Sequence, residues 1–156
     1  MHRRSLLAAL ASFPAGAALA EHGWEPFDGV RPIYLEGRVT TIIWADPHAH
    51  LEMLHQPGSA TLRGHLRRRQ MPGGKENAEF AALLDKAIVP SESGEIWRVE
   101  LPSLAKLGKW GVPRPKIKQL ISLIGYLGPQ LLDTKTVRAE YFVVEGEIYP
   151  LRSETT

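Results

Sequence analysis

The feature that most constrains the fold is a long alternating stretch with a glycine near its centre. From Ile33 to Ile43, apolar and β-branched residues recur at every second position. A period of two predicts one long β-strand. Gly37 interrupts this strand without ending it, as a bulge or a sharp bend requires. A long bent strand can pair on both of its sides, which a small barrel needs in order to close.

The remaining predicted elements follow an informative order. A short helix is predicted from Pro102 to about Trp110, because proline is favourable early in a helix. The other predicted strands are His48–His55, Glu95–Leu101, Lys118–Leu127 and Val137–Val144, the last followed by a hairpin ending at Leu151. This order matches the OB-fold, and we predict an all-β, small five-stranded OB-like barrel with a helix between strands three and four. A β-sandwich is the alternative, although it usually has about seven strands.

The stretch from about 56 to 94 does not continue the strand pattern. Apolar residues recur at helical spacing from Glu76 to Ala87, which predicts one amphipathic helix. Four arginines of this stretch precede the helix, namely Arg63, Arg67, Arg68 and Arg69. We interpret the stretch as a helical loop inserted between the second and third strands of a barrel domain that spans 33–156.

The first twenty residues have the pattern of an export signal. Basic Arg3 and Arg4 precede an apolar run, and small residues lead to Ala20. The apolar run is shorter than the roughly 20 residues that cross a bilayer, so we expect cleavage after Ala20 and no membrane span in the mature chain. The protein is then periplasmic or secreted, by the general or the twin-arginine route. An irregular N-terminal arm, 21–32, follows the signal.

Composition narrows the class of function. The chain has 19 Lys and Arg against 17 Asp and Glu, and without Arg3 and Arg4 the two totals are equal. This balance argues against nucleic acid as a partner. The chain has no cysteine, and therefore no disulfide, thiolate ligand or thiol nucleophile. The serines lie in no nucleophile motif and no phosphate-binding loop is present, so we predict a protein that is not an enzyme.

Two closely spaced histidines form the candidate metal site. Alternate residues of a strand share a face, so His48, His50 and Glu52 project together, while the intervening apolar residues suit the core. Imidazoles two positions apart are about 7 Å apart along a strand. By leaning together they can reach one Cu²⁺ or Zn²⁺. Exposed histidines are also common on half-buried strands, so a plain structural role stays open.

A third ligand is needed for tight binding, and His22 is the candidate. After cleavage at Ala20 it is the second residue, so its imidazole can join the free amine and an amide nitrogen around Cu²⁺. Glu52 is the candidate supporting partner of the ligands. His55 and His65 lie near the inserted loop and are predicted as plain surface residues.

Several motifs occur in a recognisable order: His22-Gly23-Trp24, Phe27-Asp28, Tyr34–Val39 and Trp44–His48. Together they resemble a family of small exported bacterial proteins of unknown function. That family has a histidine-rich mature N-terminus, an L-x-G-x-V strand and a W-x-N-P-H turn. The resemblance extends over nearly the whole mature chain except the insertion. It implies a compartment and a fold, and it transfers no catalytic residue.

Two positions depart from the pattern of that family. Asp46 stands where the family usually has asparagine, and either residue suits a turn before proline. His22 stands alone where many members have a histidine pair, which weakens a preformed copper site. The resemblance nevertheless places His22 and His48 inside recurring motifs.

Two hypotheses for function follow. The first is an exported, non-enzymatic binding or accessory protein that holds copper or another transition metal through His22, His48 and His50. The second is an interaction module whose basic insertion docks a periplasmic protein or a polyanion through Arg63, Arg67, Arg68 and Arg69.

Overall fold

The computed structural model describes residues 32–57, 60–68, 75–127 and 135–151. The predicted signal, the arm up to residue 31, His22 and Arg69 lie outside these ranges. The described part of the chain contains β1 (Ile33–Ile43), β2 (His50–His55), α1 (Ala60–Arg68), α2 (Lys75–Lys86), β3 (Ile96–Glu100), α3 (Leu104–Lys109), β4 (Leu120–Leu127), β5 (Lys135–Val144) and β6 (Glu147–Pro150).

The first five strands form a closed barrel. β1 pairs antiparallel with both β2 and β4, β2 pairs with β3, and β4 pairs with β5. A parallel pairing of β3 with β5, from Trp97 opposite Lys135 to Glu100 opposite Arg138, closes the cylinder. β6 is an additional strand that pairs with the second half of β5. The predicted OB-like barrel, with a helix between strands three and four, is therefore confirmed, and a sandwich is excluded.

Two glycines lie where neighbouring strands approach closely. A Cβ on Gly37 would lie 2.2 Å from the carbonyl oxygen of Leu54, and one on Gly125 would lie 2.2 Å from the carbonyl oxygen of Arg138. Any side chain at these positions would push the strands apart, so the backbone approach itself requires glycine. The barrel thus obtains its tight curvature at positions without side chains.

The irregularity of β1 lies beyond Gly37, between Val39 and Thr41. An extra residue at a bulge reverses which side chains face inward along the rest of a strand. Val39 is buried, but Thr41 and Ile43 are exposed, and Ile42 packs against the core instead. Simple alternation predicts that Val39, Thr41 and Ile43 share one face. This prediction is wrong for Thr41 and Ile43, because they lie beyond the bulge.

The core inside the barrel is formed by all five barrel strands and α3. Its members are buried apolar side chains that include Leu35, Val39, Leu51, Met53, Trp97, Val99, Leu107, Leu123 and Phe142. Leu107 comes from α3 and is 1% exposed, so this helix contributes directly to the interior. The helix that the sequence places between strands three and four therefore completes the barrel core.

A second apolar core lies outside the barrel, under the insertion. It joins residues of α1, α2, β1, β4, β5 and β6: Tyr34, Leu66, Phe80, Leu84, Ile124, Tyr141, Val143 and Ile148. Phe80 meets Tyr141 edge to face, with the ring centroids 5.1 Å apart. Tyr34 and Glu36, on the polar parity of β1, are buried as a result. The insertion is thus a packed second layer.

Several predicted boundaries shift in the structure. β2 begins at His50 rather than His48, and β4 begins at Leu120 rather than Lys118. Lys118 has a positive φ of 69°, which no regular strand residue adopts. The predicted helix of the insertion corresponds to α2, whereas α1 contains the predicted basic run and was not predicted as a helix.

Candidate functional site

The outer face of β2 carries the predicted ligands. Ala49, Leu51 and Met53 are fully buried, as the alternation predicts. His48, His50 and Glu52 are each half-buried. The predicted division of this segment into an inner and an outer face is confirmed, with His48 just before the first residue of the strand.

His50 lies among groups from both neighbouring strands. It pairs with Ile43 of β1 on one side and Glu100 of β3 on the other. Two positions on, Glu52 lies opposite Arg98. A shallow cavity of about 90 Å³ opens here, with His50, Glu52 and Arg98 in its lining. The outer face of β2 therefore carries a small depression in which polar side chains lie beside the apolar Ile43 and Leu51.

The environment of the His50 ring favours its neutral form. Burial lowers the pKa of His50, the positive charges of Arg98 and His48 lower it further, and Glu100 opposes them. The Nδ1 atom of His50 is buried and has no hydrogen-bond partner among the described residues. At neutral pH the imidazole therefore has a nitrogen lone pair available.

The carboxylates near His50 face arginines. Arg138 donates to Glu100 over 3.3 Å, and Glu52 lies opposite Arg98. Among the residues that the structure describes, no group of three or more His, Asp or Glu side chains is placed to hold a metal ion. The described part of the site is thus a histidine pair. The predicted third ligand, His22, lies outside the described ranges.

The turn before His48 is tied to the helix α3. The backbone N–H of Leu104 donates to Oδ1 of Asp46 over 2.9 Å. Ser103, the residue before the helix, makes no side-chain cap of its own. Asp46 therefore caps α3 from a distant turn, and its negative charge suits a helix N-terminus. An asparagine Oδ1 can accept the same hydrogen bond, which explains why either residue fits this turn.

His55 corrects the prediction of a plain surface residue. It is 0% exposed, with Nδ1 2.9 Å from the carbonyl oxygen of Glu36 and Nε2 3.1 Å from that of Pro90. Carbonyl oxygens only accept, so both contacts are hydrogen bonds only when the ring carries both protons. His55 thus joins β1 to the end of the insertion. Its parity matches Leu51 and Met53, and that signal indicates burial.

A buried acidic group lies next to His55. Tyr34 donates its hydroxyl to Oε2 of Glu36 over 3.0 Å. Burial, followed by the charge of Glu36, raises the pKa of Tyr34 far above its ordinary value. Burial also raises the pKa of Glu36, while the Tyr34 hydrogen bond and the charge of His55 oppose the rise. Sequence alternation gave no signal for this network, because Tyr34 and Glu36 occupy positions expected to face solvent.

The predicted basic group does not form one surface. Arg67 pairs with Asp85 over 3.0 Å, and both side chains are about half exposed. Arg68 is exposed beside a groove on the barrel, whereas Arg63 is half-buried and close enough to Tyr34 to influence its pKa. Arg69 lies outside the described ranges. The three described arginines therefore have three different environments.

Comparison with known proteins agrees with the resemblance in the first half of the chain. Residues 9–74 match the model of a family of unknown function, DUF6152. This range contains the motifs from His22 to His48, and the predicted similarity to an uncharacterised family is confirmed. The part of the resemblance that concerns the chain after residue 74 lies beyond the match. No curated protein and no solved structure matches the chain.

None of the helices in the described ranges is long and apolar enough to cross a bilayer.

Proposed function

We propose that this chain is an exported, non-enzymatic binding protein that holds a transition-metal ion through His48 and His50. The observation that carries the proposal is the buried Nδ1 of His50, which has no hydrogen-bond partner among the described residues. Buried polar atoms without a partner are rare, and an ion is one of the few things that account for them. His48 lies two residues away and influences the same ring electrostatically.

The ligand chemistry favours Cu²⁺, with Zn²⁺ as the next choice. Imidazole nitrogen suits both ions, and the chain has no cysteine to supply thiolate. His22 completes the set if the mature chain begins at Glu21, because a free amine and a second-residue imidazole together bind Cu²⁺. Glu52 supports the pair from the same face of β2. Arg98 acts in the opposite direction, since its positive charge repels a cation in the depression.

A metal titration with matched histidine variants tests the proposal. We expect His48→Ala and His50→Ala each to weaken Cu²⁺ binding by about tenfold or more, since each removes a direct ligand. His65→Ala is the control, because His65 is exposed on α1 and does not line the depression at His50. Calorimetry on the chain beginning at Glu21 gives the affinities. Equal affinity in all three variants would remove the metal site.

Two further variants separate the contributions of the arm and of Arg98. His22→Ala in the chain beginning at Glu21 should weaken Cu²⁺ binding again if the arm supplies the third ligand. Arg98→Gln should strengthen binding severalfold, because it removes a like charge from the lining of the same depression. If Arg98→Gln has no effect while His50→Ala does, the ion does not occupy the depression that Arg98 lines.

A docking module for a protein or a polyanion is the second candidate. Its support is the basic last turn of α1, where His65, Arg67 and Arg68 are exposed. If this surface binds a polyanion, replacing both arginines with glutamine should abolish retention on a sulfated polysaccharide column. Retention that depends only on total charge would be reduced equally by replacing two basic residues elsewhere, such as Lys106 and Lys109.

A further inference from the structure

A groove separates α1 from the outer surface of β4 and β5. Its volume is about 520 Å³, and it is open to solvent on one side. Small-molecule sites typically enclose about 300–1,000 Å³. The groove shares no described lining residue with the depression on the outer face of β2, because its walls come from α1, β4, β5 and the turn at Gly146.

Most of the wall of this groove is apolar. Leu66 and Val143 are buried members of the outer core, and their edges form part of the lining. Leu120 also lines the groove, and it is 43% exposed although it lies in a strand of the barrel. A large apolar side chain kept half in solvent beside a concave apolar wall leaves surface that a ligand can bury.

One rim of the groove is basic. His65 and Arg68 are three residues apart on α1, so they share one face of the helix, and both line the groove. The neighbouring Arg67 is turned to Asp85 instead. No carboxylate occurs among the described lining residues. Glu145 and Glu147 flank Gly146 in the chain, but of these three residues only the glycine is in the described lining.

The floor of the groove is polar but already engaged. Ser122 lines the groove, is 3% exposed and is hydrogen-bonded to Tyr34. Tyr34 in turn donates to Glu36. Because these groups satisfy one another, the floor has little to offer a polar ligand such as a sugar. The recognition elements that remain are the apolar wall and the basic rim.

We infer that this groove binds a small amphiphile with one anionic head group, of the fatty-acid class. The head group lies at His65 and Arg68, where charge-assisted hydrogen bonds are available. The tail lies along Leu66, Leu120 and Val143, where its burial removes apolar surface from water. A polysaccharide would leave the apolar wall uncovered, and a neutral apolar molecule would leave the two basic side chains without a partner. The site is independent of the proposed metal site.

Decanoate, below the concentration at which it forms micelles, is the test ligand. Calorimetry with the purified protein should show binding that weakens as sodium chloride is added, since salt screens the head-group contact. Decanol should bind more weakly than decanoate at low salt, and its affinity should not fall with salt. Absence of decanoate binding, or equal affinity for the two ligands, would overturn the inference.

Neighbouring arginines provide a matched pair of variants. Arg68→Gln should weaken decanoate binding by about fivefold or more, because it removes a charged hydrogen-bond donor. Arg67→Gln should change it by less than about twofold, since Arg67 is engaged by Asp85. Leu120→Gln should also weaken binding while leaving the fold intact, because Leu120 is already half exposed. Equal effects of the two arginine variants, or no effect of Leu120→Gln, would place the ligand elsewhere.

The same variants distinguish this inference from the proposed metal site. Arg68→Gln and Leu120→Gln should leave the Cu²⁺ affinity unchanged, and His50→Ala should leave the decanoate affinity unchanged. Absence of Cu²⁺ binding would therefore contradict only the proposed metal site, and absence of decanoate binding would contradict only the groove. If Arg68→Gln weakened both ligands equally, the groove would not be a separate site and the inference would fail.

Discussion

His50 and His55 lie at the two ends of the same strand and have opposite environments. The ring of His50 points outward, is half-buried and has a buried Nδ1 without a hydrogen-bond partner among the described residues. The ring of His55 points inward, is fully buried, and has a carbonyl oxygen next to each nitrogen. Five positions separate them, so a period of two places them on opposite faces. The comparison teaches that strand parity decides whether an imidazole is available to a ligand or is used by the fold.

The largest effect expected from this comparison is the loss of His55. His55→Ala should lower the free energy of unfolding by about 3–4 kcal/mol, because it leaves a cavity at a fully buried position and removes the contacts of the ring with the Glu36 and Pro90 carbonyls. His50→Ala should cost less than about 1 kcal/mol, since its ring is half-exposed. Urea denaturation measures both. Similar losses in the two variants would mean that parity does not separate a structural from an available histidine.

The second prediction concerns Gly37, which pairs with His55 across β1 and β2. Gly37→Ala should cost about 2–3 kcal/mol, because its new methyl group would collide with the Leu54 carbonyl and the strands must separate. Gly64→Ala is the control, since the nearest atoms to its Cβ are the flexible end of Arg68, at 3.5 Å or more. That variant should be neutral or slightly stabilising. If Gly37→Ala left the free energy of unfolding unchanged, β1 and β2 could separate near His55 without loss of stability.

The third prediction is that pH acts in opposite directions at the two ends of β2. The pKa of His50 is lowered in the folded chain, so the unfolded chain binds more protons and stability from this group falls as pH drops below about 6.5. The pKa of Glu36, beside His55, is raised, so the folded chain binds more protons and stability from that group falls as pH rises above about 4.5.

Two variants isolate these opposite slopes. Relative to wild type, His50→Gln should gain stability as the solution is acidified from neutral pH, because it has no ring to protonate. Glu36→Gln should gain stability relative to wild type as pH rises from about 4 to 7, because it has no buried carboxyl to ionise. Difference curves from urea denaturation at several pH values give both slopes. If the stability differences of the two variants changed in the same direction with pH, the environments assigned to His50 and Glu36 would be wrong.

The smallest expected effect concerns the turn that positions His48. Asp46→Ala should cost about 1 kcal/mol, because α3 loses its cap at Leu104. Asp46→Asn should cost less than about 0.5 kcal/mol, since the amide oxygen accepts the same hydrogen bond. Thermal unfolding compares the two, and Cu²⁺ titration of Asp46→Ala shows whether the capped turn also sets the position of His48. Equal losses in both variants would mean that the charge, rather than the acceptor, matters at Asp46.

Much of the barrel could be predicted from the chain because its strands follow simple alternation. The order of strands and the helix α3 are local patterns, and they were sufficient for the fold. The outer core was not predictable, because Tyr34 and Glu36 look like solvent-facing positions until the insertion covers them. α1 was missed because it is rich in arginine and shows little apolar periodicity. The bulge after Val39 depends on pairing with β2, which no single strand reveals.

The candidate site divides in the same way. The shared face of His48 and His50 follows from alternation and could be predicted. The burial of His55 could also be predicted, because His55 continues the alternation of Leu51 and Met53 to the end of the strand. The separation of Arg67 from Arg68 could not be predicted, because the position of Asp85 depends on how α1 packs against α2.

The insertion begins and ends at one point of the barrel. The N–H of His55 donates to the carbonyl of Glu95 over 2.8 Å, and the N–H of Gly94 donates to the carbonyl of His55 over 2.9 Å. The helices α1 and α2 are therefore inserted into the connection of an antiparallel hairpin formed by β2 and β3. A chain that replaced them with a tight turn would keep every pairing of the cylinder. It would also uncover the aromatic surface around Tyr34 and Tyr141, so shortened versions should associate with one another through that face.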